Sequence, residues 1–323
     1  MRRSLALFVT VITCAVACGS SGGGGPTATG VPAVLASISK QGSIAAEVPS
    51  DIRSKNAIEV GADASYAPNE FIDPATGEVI GWDVDFGKAI GKVLGLNFVF
   101  NNADFSTIIP DIGTRYDIGI SSFTPTTERE KTVDFVTYYK AGESWFVKKG
   151  GFSVTSVGAL CGKTIAVQTG TTEESDAFGF LGKKPDGSAI PGDTNNCQKA
   201  GQPDITIHSF TKQTDANSDV IGGRSVAGFA DSPVADYQVK LSNGTLAISG
   251  QPCGIAPYGI AVPMGSPLVK AFEDAIKYLI DKGYYKKILD AWNVSDGAVG
   301  AADVGKNINS STGAGSQACV PTY

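Results

Sequence analysis

The chain has 323 residues, enough for one large domain or two lobes of ordinary size, with ample length for a hydrophobic core. Its formal net charge is −6, and loss of residues 1–17, which hold Arg2 and Arg3, would make it more acidic still. With no basic cluster to offset that charge, nucleic acid is a poor partner.

Arg2 and Arg3 open an N-terminal targeting signal. Leu5–Val16 is apolar but too short to span a bilayer as a mature helix. It leads into Ala15-Val16-Ala17-Cys18, which resembles a bacterial lipoprotein box with Ala15 where leucine is usual. The pattern predicts a signal peptide over 1–17, a lipid on Cys18, and a chain anchored at the outer face of the cell membrane or lying in the periplasm. Gly19–Gly30 (GSSGGGGPTATG) reads as a flexible tether, and residues 18–54 as tether and leader, because large apolar residues are few there. Cys14 leaves with the signal, so Cys161, Cys197, Cys253 and Cys319 form an even set in a compartment where disulfides persist. Of the three possible pairings, Cys161–Cys197 joins two residues of the middle segment and Cys253–Cys319 would pin the tail. There is no CxxC and a single histidine, His208, in an apparent strand (Ile205–Phe210), so no metal or cofactor is expected and His208 reads as structural.

The fold begins near Asn56. Ala57–Gly61 reads as a strand, and Asp73–Gly77 as a turn between two short extended pieces. Phe86, Ala89, Ile90, Val93 and Leu94 fall on one face of a helix that Gly95 ends. Asn97–Phe100 is the next strand, Phe105, Ile108, Ile109 and Ile112 mark a short helix, and Asp117–Ser121 is a third strand. This alternation predicts a parallel sheet. Trp145–Lys148 leaves the unit, and Lys163–Val167 opens a second one with Ile205–Phe210 and Ser225–Ala230. Residues 181–203 read as a surface loop. Ser232 is an expected N-cap with Pro233 at the first helical position. Leu246–Ser249 and Tyr258–Val262 read as two further strands. Phe272, Ala275, Ile276, Leu279 and Ile280 repeat the earlier helical stripe, Tyr284–Trp292 is a final helix, and small residues suggest a loose tail. The last helices have no sheet of their own and should return to the first unit. The expected plan is an α/β chain of two lobes: 55–142 and 255–297 in lobe one, 143–254 in lobe two, a tail over 298–323, and two crossings between the lobes. A cleft between such lobes is a natural ligand site.

The most informative stretch is Tyr116–Asp134. A buried-looking strand runs into Ser122 and Thr124, and Arg129 follows five residues after Thr124. Hydroxyls and backbone N–H groups beside a planar guanidinium suit a small carboxylate. Asp63-Ala-Ser-Tyr66-Ala-Pro68, Gly81-Trp-Asp83-Val-Asp85, Ser121-Ser-Phe-Thr124 with Glu128-Arg129, Gln168-Thr-Gly170-Thr-Thr172, Asp231-Ser-Pro233 and Tyr258-Gly-Ile-Ala then stand in an order and spacing that resembles the bacterial extracellular solute-binding proteins, family 3, over about Asn56–Val294. The resemblance implies a two-lobed periplasmic-binding-protein-like fold (type II) and an amino-acid receptor that serves the permease of an ABC importer, most simply as a monomer. Arg129 and Thr124 would then hold the α-carboxylate, with Gly170, Thr171 and Thr172 offering N–H groups at a helix start. Ser122 and Asp231 would take the ammonium, and Tyr66 and Phe105, less directly Trp82 and Phe123, would line the side-chain pocket. Asp63, with Glu70 near it, tilts the reading toward a polar or basic amino acid, while Asn69 replaces an aromatic of some relatives. Against these roles stand local ones: Thr127 and Glu130 form a capping-box pattern around Arg129, and Asp231 precedes a Ser-Pro helix start. The competing functions are a dehydratase of cyclohexadienyl acids on the same fold, which would need a general acid such as Glu70, and a ligand-sensing module.

Overall fold

A computed structural model of the chain describes residues 30–308. Three short helices come first, α1 (Val31–Ser37), α2 (Gly42–Ala45) and α3 (Ser50–Lys55). They correct the expected leader. Val31, Ile38 and Val48 are buried in the core of lobe one, and Leu35 and Ile44 pack against it. Apolar residues are sparse here, but those present face one way, which composition does not show.

Lobe one continues with β1 (Ala57–Ala62), then a small antiparallel sheet of β2 (Ser65–Tyr66), β3 (Glu70–Ile72) and β4 (Val79–Ile80). Helix α4 (Trp82–Leu94), β5 (Asn97–Asn102), α5 (Phe105–Asp111) and β6 (Ile118–Phe123) follow. Strands β5, β1 and β6 pair in parallel, as expected. The apolar stripe of α4 is buried along its length, and Gly95 ends the helix in the left-handed region at φ 70°. Its start requires glycine: Gly81 has φ +139°, and a Cβ there would lie 2.0 Å from the Asn69 carbonyl oxygen. That close approach fixes the Asn69–Glu70 segment against the first turn of α4, beneath the cleft.

Strand β7 (Val133–Lys148) carries the chain from lobe one into lobe two. Lobe two holds α6 (Val157–Leu160), β8 (Thr164–Gln168), α7 (Thr172–Gly179), α8 (Asn196–Lys199), β9 (Thr206–Phe210), α9 (Gln213–Ile221), β10 (Ala227–Asp231) and α10 (Ser232–Leu241). Strand β11 (Leu246–Pro263) then crosses back, and α11 (Leu268–Asp281) and α12 (Tyr284–Trp292) pack into the same core as α4. The strand order β5-β1-β6-β11-β7-β10-β8-β9 places the two crossing strands side by side. The two strands read separately at Leu246–Ser249 and Tyr258–Val262 are the ends of β11. Between them Gly250, Pro252, Gly254 and Pro257 break the apolar pattern, yet the segment stays paired with β7 through register shifts on both sides of Cys253. Such bulges bend a strand locally, which suits a hinge.

The expected Cys161–Cys197 disulfide is present, and both residues lie in the core of lobe two. The other expected pairing reaches Cys319, which lies outside the described residues, as do Cys18 and the signal segment. His208 sits beside Asp219 at 3.3 Å, and Arg224 holds the same carboxylate at 2.6 Å, a local surface arrangement on lobe two. The start of the tail is docked rather than loose. Val299 and Val304 are buried, Lys306 pairs with Asp134 at 2.9 Å, and the Asn307 N–H donates to the Phe135 carbonyl at 2.9 Å.

Candidate functional site

The strand β6 ends in a tight left-handed step. Ser122 has φ 54°, and its N–H and hydroxyl both donate to Asp83 Oδ2 at 3.0 Å, while Asn69 donates to its Oγ at 2.8 Å. Asn69 in turn accepts the Trp82 indole N–H at 2.6 Å. So Asn69, where some relatives carry an aromatic, is a buried polar bridge under the strand. Trp82 is fully buried in the core and lies behind the site, a correction to its expected place on the cavity wall.

Arg129 starts a 3-10 turn, Arg129–Lys131. Thr126, rather than Thr127, accepts the Arg129 N–H with its hydroxyl at 3.2 Å. The guanidinium donates to the Thr124 carbonyl at 2.8 Å and, across the cleft, to the Gly170 carbonyl at 2.9 Å. It lies 5.4 Å over the ring of Phe105, which stacks on Phe123 at 4.8 Å, so two aromatic rings form its shelf. Burial pulls its pKa down to about 10, and the nearby acids oppose that fall, so it remains a cation at neutral pH.

On lobe two, Thr171 caps α7 by accepting the Glu174 N–H at 3.1 Å, and Glu174 accepts the Gly170 N–H at 2.7 Å. The Glu174 carboxylate thus consumes one amide expected to face the ligand. Gly170 therefore offers the cleft its carbonyl, and Thr172 stands at the helix start. At the end of β10, Asp231 is itself the N-cap residue of α10, in place of Ser232. Its carboxylate accepts the Tyr66 hydroxyl at 2.9 Å, and its N–H donates back to that oxygen at 3.1 Å. Burial and then the negative charge of Glu173 push the Asp231 pKa well above the usual carboxylate range.

The lobes are closed on each other. Tyr66 packs into a lobe-two apolar cluster, the Gln213 N–H donates to Ser65 Oγ at 3.0 Å, and Gln168 donates to Asp63 Oδ2 at 2.6 Å. The cavity enclosed between them has room for about one water. Arg129, Thr124, Ser122, Thr172, Asp231, Tyr66 and Phe105 line it, whereas Asp63, Gly170 and Trp82, expected there too, are not on its wall. Asp63 is already engaged: its oxygens also accept the N–H groups of Ser65 at 2.9 Å and Phe105 at 3.1 Å. Two residues without an expected role, Gln168 and Glu173, also line the cavity. Each is buried and keeps one side-chain oxygen, Oε1, without a hydrogen-bond partner. An acid in the first turn of a helix is ordinarily read as a dipole partner, which hides Glu173 in the sequence.

Two α/β lobes on paired crossing strands, closing a guanidinium from one lobe and a carboxylate from the other onto one cavity, define a hinged receptor for a small zwitterion. The chain matches the model of bacterial extracellular solute-binding proteins, family 3, over residues 58–295, and belongs to that family. It is 33% identical over 261 residues to the arginine-binding protein ArgT of Corynebacterium glutamicum, covering 80% of this chain and 81% of that one. It is 30% identical to the putative ABC transporter arginine-binding protein 2 of Escherichia coli, over 73% and 90% of the two chains. An ancestral arginine-binding protein bound to arginine superposes with a TM-score of 0.63 at 33% identity, over 73% of this chain and 98% of that one. The fold is thus that of the type II periplasmic binding proteins. Among the described residues no helix is long and apolar enough to cross a membrane.

Proposed function

We propose that this protein is the substrate-binding component of an ABC importer for a basic amino acid, with arginine as its first ligand. The observation that carries the reading is the meeting of Arg129 and Asp231, from opposite lobes, on one closed cavity. The names of the relatives support arginine. In this reading Arg129 grips the α-carboxylate with the donors left over from Thr124 and Gly170, and the backbone near Thr124 and Thr172 completes that grip. Asp231 pairs with the ammonium, whose charge offsets the cost of its burial. Phe105 and Tyr66 flank the side chain, and Ser122 supplies backbone polarity to the ammonium. A cavity with room for about one water cannot admit an amino acid, so the lobes part about the bulged crossing before capture. Closure then follows because Asp231 and Thr172 reach the ligand only in the closed form. The ligand leaves unchanged to the permease.

A thermal-shift screen of the common amino acids, followed by calorimetry, tests this. Arginine at about a hundred times its dissociation constant should stabilise the fold by about 2.7 kcal/mol. A flat response to every amino acid, or turnover of prephenate or arogenate, would reject the reading. The anchor is a separate part of the proposal, supported by the lipoprotein-like box at Ala15–Cys18. Palmitate should label the wild-type chain in cells and not a Cys18→Ser variant, and equal labelling of both would remove it.

A further inference from the structure

The cavity holds more acid than a zwitterion can neutralise. Arg129 is the one cation lining it, while Asp231 and Glu173 both do so. Behind them, Glu143 on β7 and Asp176 on α7 feel the charge of the same cluster. With a zwitterion in place, its carboxylate answers Arg129 and its ammonium answers Asp231. Glu173 is left over, only 2% exposed and with its Oε1 unpartnered on the cavity wall. The acid that sequence suggests for a basic side chain, Asp63, is unsuited to that role here, because Ser65, Phe105 and Gln168 already occupy its oxygens. The unpartnered Oε1 of Gln168 adds a second buried acceptor with no donor of its own.

We propose that Glu173, assisted by Gln168 Oε1, is the determinant that selects a ligand carrying a second positive charge, and that such a ligand displaces a proton from the Asp231–Glu173 cluster as it binds. The inference rests on the amino-acid-binding reading above. Physically, closely spaced carboxylates in one narrow, buried cavity cannot all ionise beside a single guanidinium. Burial raises the pKa of Glu173, and that of Asp176 to about 7. The groups facing the cluster are Arg129 from lobe one, Tyr66 from β2, Tyr258 from β11, and Glu143 and Asp176. None but Arg129 is a cation. A ligand with net charge +1 supplies the missing positive charge, and a carboxyl O–H then gives its proton to bulk water.

The test compares arginine with citrulline, its neutral isostere, by calorimetry on the full chain in two buffers of different ionisation enthalpy. Wild type should prefer arginine and release protons with arginine only. In Glu173→Gln the arginine-to-citrulline affinity ratio should fall about tenfold or more, since one buried charge pair is lost, and proton release should drop. Glu173→Asp should restore both in part, which separates charge from mere packing. An unchanged ratio in a folded Glu173→Gln variant, or arginine binding without proton release, overturns the inference while leaving the receptor reading intact. Failure of wild type to bind any amino acid would instead overturn that reading and this inference with it.

Discussion

Arg129→Ala is expected to lose arginine capture by about 3 kcal/mol or more, over two powers of ten in affinity, with the fold retained. The side chain sits where the two lobes share a partner and where the proposal places the ligand carboxylate. Its guanidinium spans the Thr124 carbonyl of lobe one and the Gly170 carbonyl of lobe two. Alanine therefore removes one of the bonds that closes the cleft and, on the proposed reading, the grip on the carboxylate. Little of the core is disturbed, because Arg129 is half-buried and rests on the face of the Phe105–Phe123 stack rather than filling it. Arg129→Lys is the sharper variant. It keeps the charge over the rings but lacks the planar fork, so it should recover only part of the loss. Calorimetry on the two variants checks this, and arginine affinity unchanged from wild type in Arg129→Ala would remove the guanidinium from the site.

Much of this was readable from the chain, for identifiable reasons. The helix stripes of α4 and α11 have apolar residues at helical spacing and clear ends, and both are buried as read. The Ser122–Arg129 stretch carries its chemistry within a few residues, so sequence could place Thr124 and Arg129 together. What it could not show is competition for the same donors and acceptors. Gly170 offers its carbonyl because Glu174 takes its N–H. Asp63 is engaged because Gln168 arrives from the other lobe, 105 residues away. Trp82 lies inside because Asn69 holds its indole. The strand β11 hid behind its glycines and prolines, since its pairing is dictated by β7 alongside and not by its own pattern. The helices over 31–55 were missed because a few well-placed apolar residues were averaged with many small ones.

Asp231→Asn should abolish arginine binding and yet raise the melting temperature of the free protein at neutral and higher pH by about a few degrees, since folding must either protonate this carboxyl, ionised in the unfolded chain, or bury its charge short of partners. Asp231 is buried with Glu173 near it, and both carboxyls have folded pKa values above their unfolded ones. Asp176 is raised to about 7 from an ordinary value of 3.8, and Asp83, in lobe one, likewise. Groups of this kind contribute stability that is complete below the unfolded value and is lost as pH rises through the folded one. The free protein should therefore weaken between about pH 4 and pH 7, where exposed carboxylates with lowered values, such as Asp290, have already made their contribution. Asparagine takes one carboxyl out of that balance. It keeps an acceptor for the Tyr66 hydroxyl and the N–H that donates back, so the contact between the lobes survives. The melting curve of Asp231→Asn should be flatter with pH than that of wild type and should no longer respond to arginine. A variant that melts lower than wild type at pH 8 would show that Asp231 is ionised and well paired in the free protein, and the repulsion argued for the cavity would then be wrong.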